Sequence, residues 1–309
     1  PPPPPPPPPF FFHPHPATRD PLWSRGLGDV YKRQPPYWTL ILLLQMEDVN
    51  QNPLNKKIIN SYLNLKDFRK VKILIFEEID STNRYLSDLE IDANTLFICS
   101  AEKQTRGKGR GNKKWESPTG QNIYLSLSFQ FEKSSNLNGF SLMVGLAIRD
   151  TLAELYDIDS KIKWPNDIFF KNKKLCGILI ETKYENNLVK IIIGIGINVF
   201  MQTNEHIDQD WISLKLIDGE KKFDRNLIIG KLTSKVLDYF RAYKIYGFAH
   251  FQKKFNQHNY LKNKTVTSEN FKEKNCKVIE VDAEGRLKVQ IDKETKLISS
   301  GELSFKIKE

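Results

Sequence analysis

Proline all but vanishes after residue 36: only Pro53, Pro118 and Pro165 follow, and 14 of the 17 prolines precede them. Cysteine is scarce as well. Cys99, Cys176 and Cys276 are odd in number and widely spaced, with no CxxC pair. They fit a reduced, cytoplasmic protein better than a disulfide framework. The apolar run WTLILLL at 38–44 is seven residues long, far short of the roughly 20 that span a bilayer. It also has no small-residue cleavage site, so it does not read as a secretion signal. Missing too are an internal repeat, a helix-turn-helix pattern ahead of residue 70 and the GxxxxGK[ST] spacing of a Walker A loop.

The uneven proline marks a break. Residues 1–9 are all proline, and the stretch that follows has no apolar period of either kind. Residues 1–45 therefore read as a non-native or disordered leader, such as translated vector or adaptor sequence, and stand outside the fold. The alternative is a natural polyproline arm that recruits a partner domain. Met46 suits a native start, with 46–70 as an N-terminal extension. The 264 residues that follow position 45 suffice for one large core and a small accessory domain.

Acidic residues are in deficit. Lys and Arg number 47 against 37 Asp and Glu, for a net charge of +10, of which the leader supplies +2. Such a balance attracts anions, whether nucleic acid, nucleotide or an acidic protein, but does not choose among them.

Periodicity gives the rest of the architecture. Residues 71–79, 95–102, 122–131, 174–182 and 188–199 read as strands, and 161–167 as a strand stopped by Pro165. Asp80-Ser81-Thr82-Asn83 reads as the N-cap of a helix over 82–90. Longer helical patterns fall at 137–156, 225–241 and 246–257. Short connections predict an α+β fold: a mixed, largely antiparallel sheet with helices on one face. From about residue 263 short alternating strands, with Asp282-Ala283-Glu284-Gly285 as a turn, predict a small all-β barrel.

Three stretches stand out. In QTRGKGRGNKKW at 104–115, Gly107, Gly109 and Gly111 let backbone N–H groups approach an anion, with Lys108 and Arg110 adding charge. That loop suits a phosphate or carboxylate ligand, but a basic turn or an RNA contact remains open. In KWPND at 163–167, Lys163 reads as a donor to developing negative charge, or Trp164 as a merely buried ring in a capped turn. In GIGIN at 194–198, alternate glycines let a ligand or another backbone come close beside Asn198, though strand glycines often serve packing alone.

Taken together and in this order, the stretches resemble biotin protein ligase. The resemblance runs from about Ile79 to the C-terminus through STN at 81–83, AEKQTRGKGRGNKKWESP at 101–118, NIYLS at 122–126, KWPND, KLCGILIE at 174–181, GIGIN and WISL at 211–214. It implies a catalytic domain of the class II synthetase kind over 71–262 and an SH3-like barrel over 263–309. The implied activity is that of a biotin–[acetyl-CoA-carboxylase] ligase, which joins biotin to ATP as biotinyl-5′-AMP and passes the biotinyl group to a lysine of a biotin carboxyl carrier protein. The resemblance assigns biotin contacts to Ser81, Thr82, Asn83, Gln104, Gly107, Lys108, Arg110, Lys163, Gly177 and Gly194. It assigns ATP and adenylate contacts to Lys108, Gly109, Arg110, Trp115, Asn166, Asn198 and Trp211, the last stacking on adenine. Lys163 and Arg110 are the implied catalytic residues. Magnesium is implied as held mainly by ATP phosphates, with no metal ligands in the protein.

Carboxylate attack on phosphate brings two anions together, so cations must offset their repulsion. The basic loop is expected to order when ligand binds. His206, His250 and His258 sit in no motif and read as surface or structural, which leaves solvent or Asp167 to take the acceptor lysine's proton. The chain departs from the family loop GRGRRGR at Lys108, which lacks an arginine's bidentate fork, and at Gly111-Asn112. Residues 46–70 are too few for a DNA-binding winged helix, so neither DNA nor a membrane is expected as a partner, and the chain is expected to be a monomer or weak homodimer. The rival readings are a lipoate ligase or lipoyl/octanoyl transferase, which share the catalytic fold, and a nucleic-acid-binding module. The latter predicts aromatics among the basic residues, where Trp115 stands alone.

Overall fold

A computed structural model describes residues 53–65, 68, 70–92, 94–132, 137–185, 187–267, 276–299 and 306–307. The leader, its apolar run at 38–44 and the start at Met46 lie outside them. The described residues belong to one compact unit.

Seven strands form the main sheet: β1 (Lys70–Ile79), β2 (Thr95–Gln104), β3 (Asn122–Glu132), β4 (Lys161–Lys163), β5 (Asp167–Phe170), β6 (Lys173–Glu185) and β7 (Leu188–Asn198). Their spatial order is β1-β2-β3-β7-β6-β5-β4. Only β1 and β2 run parallel; the other neighbours are antiparallel. The strand expected to be stopped by Pro165 does end before it, at Lys163, since proline has no N–H for a ladder, and a second strand not expected from the sequence begins at Asp167. Asp167 returns to pair with Lys163.

The period-two alternation of β7 explains the sheet's two faces. Ile191, Ile193, Ile195 and Ile197 are buried in the main core. Ile192, Gly194, Gly196 and Asn198 point the other way. Two long helices, α3 (Phe140–Tyr156) and α5 (Arg225–Tyr246), cover the isoleucine face and pack on each other. The expectation that all helices share one face fails for α2 (Thr82–Asp88). Its Leu86 packs in a separate cluster with Phe97, Cys99 and Ile192, which stand on the opposite face and need their own cover. α2 shields only part of that face. The strip from Tyr124 and Ser126 to Gly194, Gly196 and Gly177 lies beside it, and the register lines these residues up across β3, β7 and β6.

Helix α1 (Lys56–Ser61) is capped by the Asn55 side chain and buries Ile59. It packs on α5 where Gly230 leaves room: a Cβ there would stand 2.5 Å from Tyr62 Cβ. The Leu54 amide donates to Glu102 Oε1 at 2.7 Å, and Glu102 forms a buried ion pair with Arg225 at 2.6 Å. The extension is thereby fastened to β2 and α5. After the short α4 (Leu214–Ile217) and α6 (Ala249–Gln257), a second sheet comprises β8 (Thr265–Thr267), β9 (Cys276–Val281), β10 (Leu287–Ile291), β11 (Glu294–Ile298) and β12 (Lys306–Ile307), in the order β11-β10-β9-β8-β12. All its pairings are antiparallel. Val266, Val278, Val281 and Leu287 join the main hydrophobic core. None of the described helices is long and apolar enough to cross a membrane.

Candidate active site

The floor of the site is a polar relay, buried at Ser81, Thr82, Asn83, Ser117 and Ser126 and ending at the exposed Glu181. Ser81 caps α2 by accepting from the Arg84 amide, which points the next two residues at the sheet. The Thr82 amide and hydroxyl donate to Gln104 Oε1 at 2.9 and 3.1 Å. Gln104 Nε2 donates to Ser117 Oγ, and Ser117 donates to the Trp115 carbonyl. On the other side, Ser126 Oγ lies 2.7 Å from Thr82 Oγ1 and 2.6 Å from Asn83 Oδ1. The Asn83 amide nitrogen donates to Glu181 at 2.7 Å. Such a relay fixes every rotamer along the floor, because a buried group without its partner is costly. Gly194 makes room for it: a Cβ there would stand 2.4 Å from Asn83 Oδ1.

The glycine-basic stretch is a folded hairpin, not an open coil. Lys108 pairs with Lys114, the Gly109 amide donates to the Lys113 carbonyl at 2.7 Å, and the Trp115 amide donates to Gly107 at 2.9 Å. Gly111 turns the chain in the left-handed region, with φ 60 and ψ 39. Glycine enters that region without strain, which accounts for one departure from the arginine-rich loop. The hairpin lays the Trp115 ring over two sheet glycines. A Cβ on Gly196 would fall 2.4 Å from Trp115 Cε2, and one on Gly177 2.8 Å from Cζ3. Trp115 Nε1 is buried and has no hydrogen-bond partner among the described residues.

Cations gather at one end of this glycine strip. Arg110 donates to Asn166 Oδ1 at 3.2 Å, and Asn166 in turn donates to the Ile178 carbonyl at 2.8 Å. Lys174 stands 3.0 Å from Asp167 Oδ1 and 5.4 Å from the centre of the Trp115 ring. The contact to Asp167 has the distance of an ion pair without the alignment of a hydrogen bond. Lys163 faces Asp167 across the β4–β5 ladder and lies over the Phe169 ring. Burial holds the Lys163 ammonium below its ordinary lysine value; Asp167 opposes this, while Lys174, Lys264 and Lys113 reinforce it. Burial also lowers Arg110, again against Asp167.

Trp164 fixes the turn that carries Lys163 and Asn166. Its ring is 1% exposed, and its indole N–H donates to the Gly285 carbonyl in the β9–β10 turn at 3.0 Å. The Ser141 hydroxyl donates to the Pro165 carbonyl at 2.9 Å. On the other flank, the Lys174 amide donates to Asp210 and the Ile212 amide to Lys174. Those bonds bring Trp211 alongside β6, and the Asn198 amide donates to the Ile212 carbonyl at 3.1 Å. Trp211 lines an open hollow with Lys173, Ile207 and Asp208.

The structure thus brings Ser81, Thr82, Asn83, Gln104, Gly107, Gly177 and Gly194 to the groove floor, with Lys108, Gly109, Arg110 and Trp115 on the hairpin above. Lys163 and Asn166 stand at one end, and Asn198 and Trp211 on the flank. Sequence reasoning assigned no role to Lys174, Ser117, Ser126 or Glu181, and touched Gly196 only as one of the alternate glycines of GIGIN. Gly196 alternates with Gly194 and could have been found from that period. His206 and His250 are exposed and His258 half-buried, and none is bonded to these residues. Burial pushes the Cys99 thiol up to about 12 and raises Cys176 as well, so neither supplies a thiolate.

Residues 75–198 match the biotin/lipoate A/B protein ligase family. Two bifunctional ligase/repressor BirA proteins are similar. That of Salmonella typhimurium is 37% identical over 168 residues, covering 53% of this chain and 52% of the relative. That of Escherichia coli is 36% identical over 164 residues, covering 52% and 50%. The chain spans about half the length of these curated relatives. Among solved structures, a biotin protein ligase from Aquifex aeolicus in complex with biotin and ATP superposes with a TM-score of 0.68 at 28% identity, covering 77% of this chain and 99% of that one. The segment from 75 to 198 that matches this family contains β2, β3, β6, β7, the basic hairpin and Lys163.

Proposed function

We propose that this chain is an ATP-dependent biotin protein ligase, which activates biotin as biotinyl-5′-AMP and transfers the biotinyl group to a lysine of a biotin carboxyl carrier protein. The observation that carries this reading is the gathering of Arg110, Lys163 and Lys174 about the single carboxylate of Asp167, at the end of a groove floored by glycines and a hydrogen-bonded relay. In the first step a biotin carboxylate oxygen attacks the α-phosphorus of ATP, and the bond to the β-phosphate oxygen breaks. Lys163, Lys174 and Arg110 offset the repulsion between the two anions as they meet.

Within this reading Ser81, Thr82, Asn83, Gln104, Gly107, Gly177 and Gly194 hold biotin, whose polar ring needs donors and acceptors. The Trp115 indole N–H is a donor still to be satisfied. The hairpin residues Lys108, Gly109 and Arg110 close over the mixed anhydride, with Asn166, Asn198 and Trp211 on the nucleotide side. Among the described residues no three His, Cys, Asp or Glu side chains gather as a metal cage. A magnesium ion would be held by ATP's own phosphates, where it screens charge on the leaving pyrophosphate.

In the second step the carrier's lysine amine attacks the acyl carbon, the bond to the adenylate oxygen breaks, and AMP leaves. Asp167 is ion-paired with Lys174, so its part is to hold the cations, and the amine's proton passes to solvent. The second sheet is then the SH3-like domain, coupled to the site through Gly285.

The test is incubation with ATP, Mg²⁺, a carrier domain and either biotin or lipoate, read by streptavidin blot and mass spectrometry of the carrier. Biotinylation that requires ATP is expected. Lipoylation with no biotinylation would move the chain to the lipoate branch of the family.

A further inference from the structure

Lys163 does not stand over an isolated ring. Its Nζ lies 4.9 Å from the centre of Phe169, and Phe169 stacks on Tyr260 with centroids 4.8 Å apart and planes 28° apart. Tyr260 has a lysine of its own, with Lys264 Nζ 3.4 Å from the ring centre. Two lysines from distant parts of the chain thus each rest on one member of a stacked aromatic pair. Backbone bonds fix the assembly: the Tyr260 amide donates to Ile162 at 2.9 Å, and the Val278 amide to Lys264 at 2.9 Å. The Tyr260 hydroxyl donates to Asn172. Lys264 therefore brings its charge to bear on Lys163 from the start of the second sheet, by a route that no motif announces.

Little acid among the described residues is set against these charges. Among the described residues, Lys113, Lys163 and Lys264 have no ion-pair partner. Asp167 is the one acid set against Lys163, while the charges of Lys174, Lys264 and Lys113 all bear on it. Gathering like charges, with Lys163, Lys174 and Lys264 half-buried and Lys113 exposed, costs free energy that a bound anion recovers. Arg110 and Lys174 already flank Asp167, beside Lys163. The row continues outward through the aromatic pair to Lys264, so it suits an extended anion better than a single carboxylate.

We propose that Lys264 binds the terminal phosphates of the nucleotide and the pyrophosphate that leaves, extending the anion site beyond Lys163. This rests on the ligase reading for the identity of the reaction, but the polyphosphate site can be measured without it. A lysine suits this place because its ammonium is a compact point charge that serves non-bridging phosphate oxygens in several orientations. The aromatic stack holds it out from the backbone without supplying a counter-charge.

The experiment is calorimetric titration of inorganic pyrophosphate into the full chain at low salt, alongside biotin-dependent ATP–pyrophosphate exchange. Lys264→Met is expected to weaken pyrophosphate binding by about tenfold, the loss of one charge-assisted contact, and to raise the KM for ATP similarly. Lys264→Arg should retain most of the affinity. Lys244→Met removes a lysine 6.0 Å from the Phe240 ring centre, outside the site, and should leave it unaltered. Lys264→Gln serves if the methionine variant does not fold. Wild-type affinity in both neutral variants overturns the proposal. So does equal loss in Lys264→Arg, which would mark a structural role, a wild type that binds no pyrophosphate, or an effect confined to the KM for the carrier. If wild type shows no exchange yet pyrophosphate binding still depends on Lys264, the ligase reading fails and the anion site stands.

Discussion

The indole N–H of Trp164 donates to the carbonyl of Gly285, 121 residues further along the chain, at 3.0 Å and out of contact with water. The bond joins the turn that carries Lys163 and Asn166 to the turn between β9 and β10. Gly285 must be glycine here: its φ is +76, and a Cβ would stand 2.5 Å from Gly139 Cα. Trp164→Phe keeps an aromatic ring but removes the donor and the five-membered half of the indole, leaving a buried carbonyl unsatisfied at about 1–3 kcal/mol in addition to the lost packing. The melting temperature should fall by about 2–4 °C for each kcal/mol. ATP–pyrophosphate exchange should slow by a larger factor than the folded fraction explains, because Lys163 loses its fixed place. An unchanged melt and rate would show that the bond contributes to neither.

Arg110 reaches from the hairpin to Asn166 and senses Asp167. It therefore ties the hairpin to the strand end where the adenylate is proposed to sit. Arg110→Ala should release free biotinyl-5′-AMP about tenfold faster, the equivalent of one charged hydrogen bond. Labelled ATP and quenched flow give the release rate directly. A rate equal to wild type would mean that Lys108 and the Trp115 ring hold the intermediate without Arg110.

Gly194→Ala places a methyl group 2.4 Å from Asn83 Oδ1. The Asn83 amide must move and give up Ser126 and Glu181. Overpacking of this kind costs about 1–3 kcal/mol of stability, and biotin affinity should fall by about tenfold or more as the relay loses its rotamers. Gly219→Ala, where a Cβ meets nothing closer than 3.9 Å, is the matched control. Calorimetry with biotin decides: equal affinities in the two variants would remove Asn83 from the pocket.

Legibility followed chemical range. The alternation of β7 gave its two faces from eight letters, IIIGIGIN, and Ser81 announced its helix by a local cap. Features within one or two turns of the chain are visible because their partners are close in sequence. Ser126 and Asn83 lie 43 positions apart, and Asn83 and Glu181 98, so their pairing needs the register of three strands before it can be seen. Lys174 opens the KLCGILIE stretch, yet its role stayed hidden because its neighbours Trp115, Asp167 and Asp210 come from three separate segments. β5 was hidden by Pro165: a proline ends one ladder, but nothing local says that the chain turns and pairs again four residues later. The position of α2 on the far face likewise depends on Phe97, Cys99 and Ile192 meeting across strands.

Asp167 supplies the last prediction, because it opposes the burial that lowers Lys163. Lys163 must keep its proton to stabilise the meeting of carboxylate and phosphate, so adenylation should fall as pH rises through its folded pKa. Asp167→Asn removes the attraction to the ammonium while Lys174, Lys264 and Lys113 remain. The folded pKa drops further, and the alkaline limb of the rate profile should move to lower pH. Stability carries the matching sign. Lys163 titrates in the folded chain below its unfolded value of about 10.4, so between the two values the unfolded chain binds the extra proton and this group's contribution to stability rises with pH. Asp167→Asn widens that window downward. Exchange rates and thermal melts from neutral pH to the lysine range test both. An alkaline limb that stays in place, or moves upward, would assign the titration to another group.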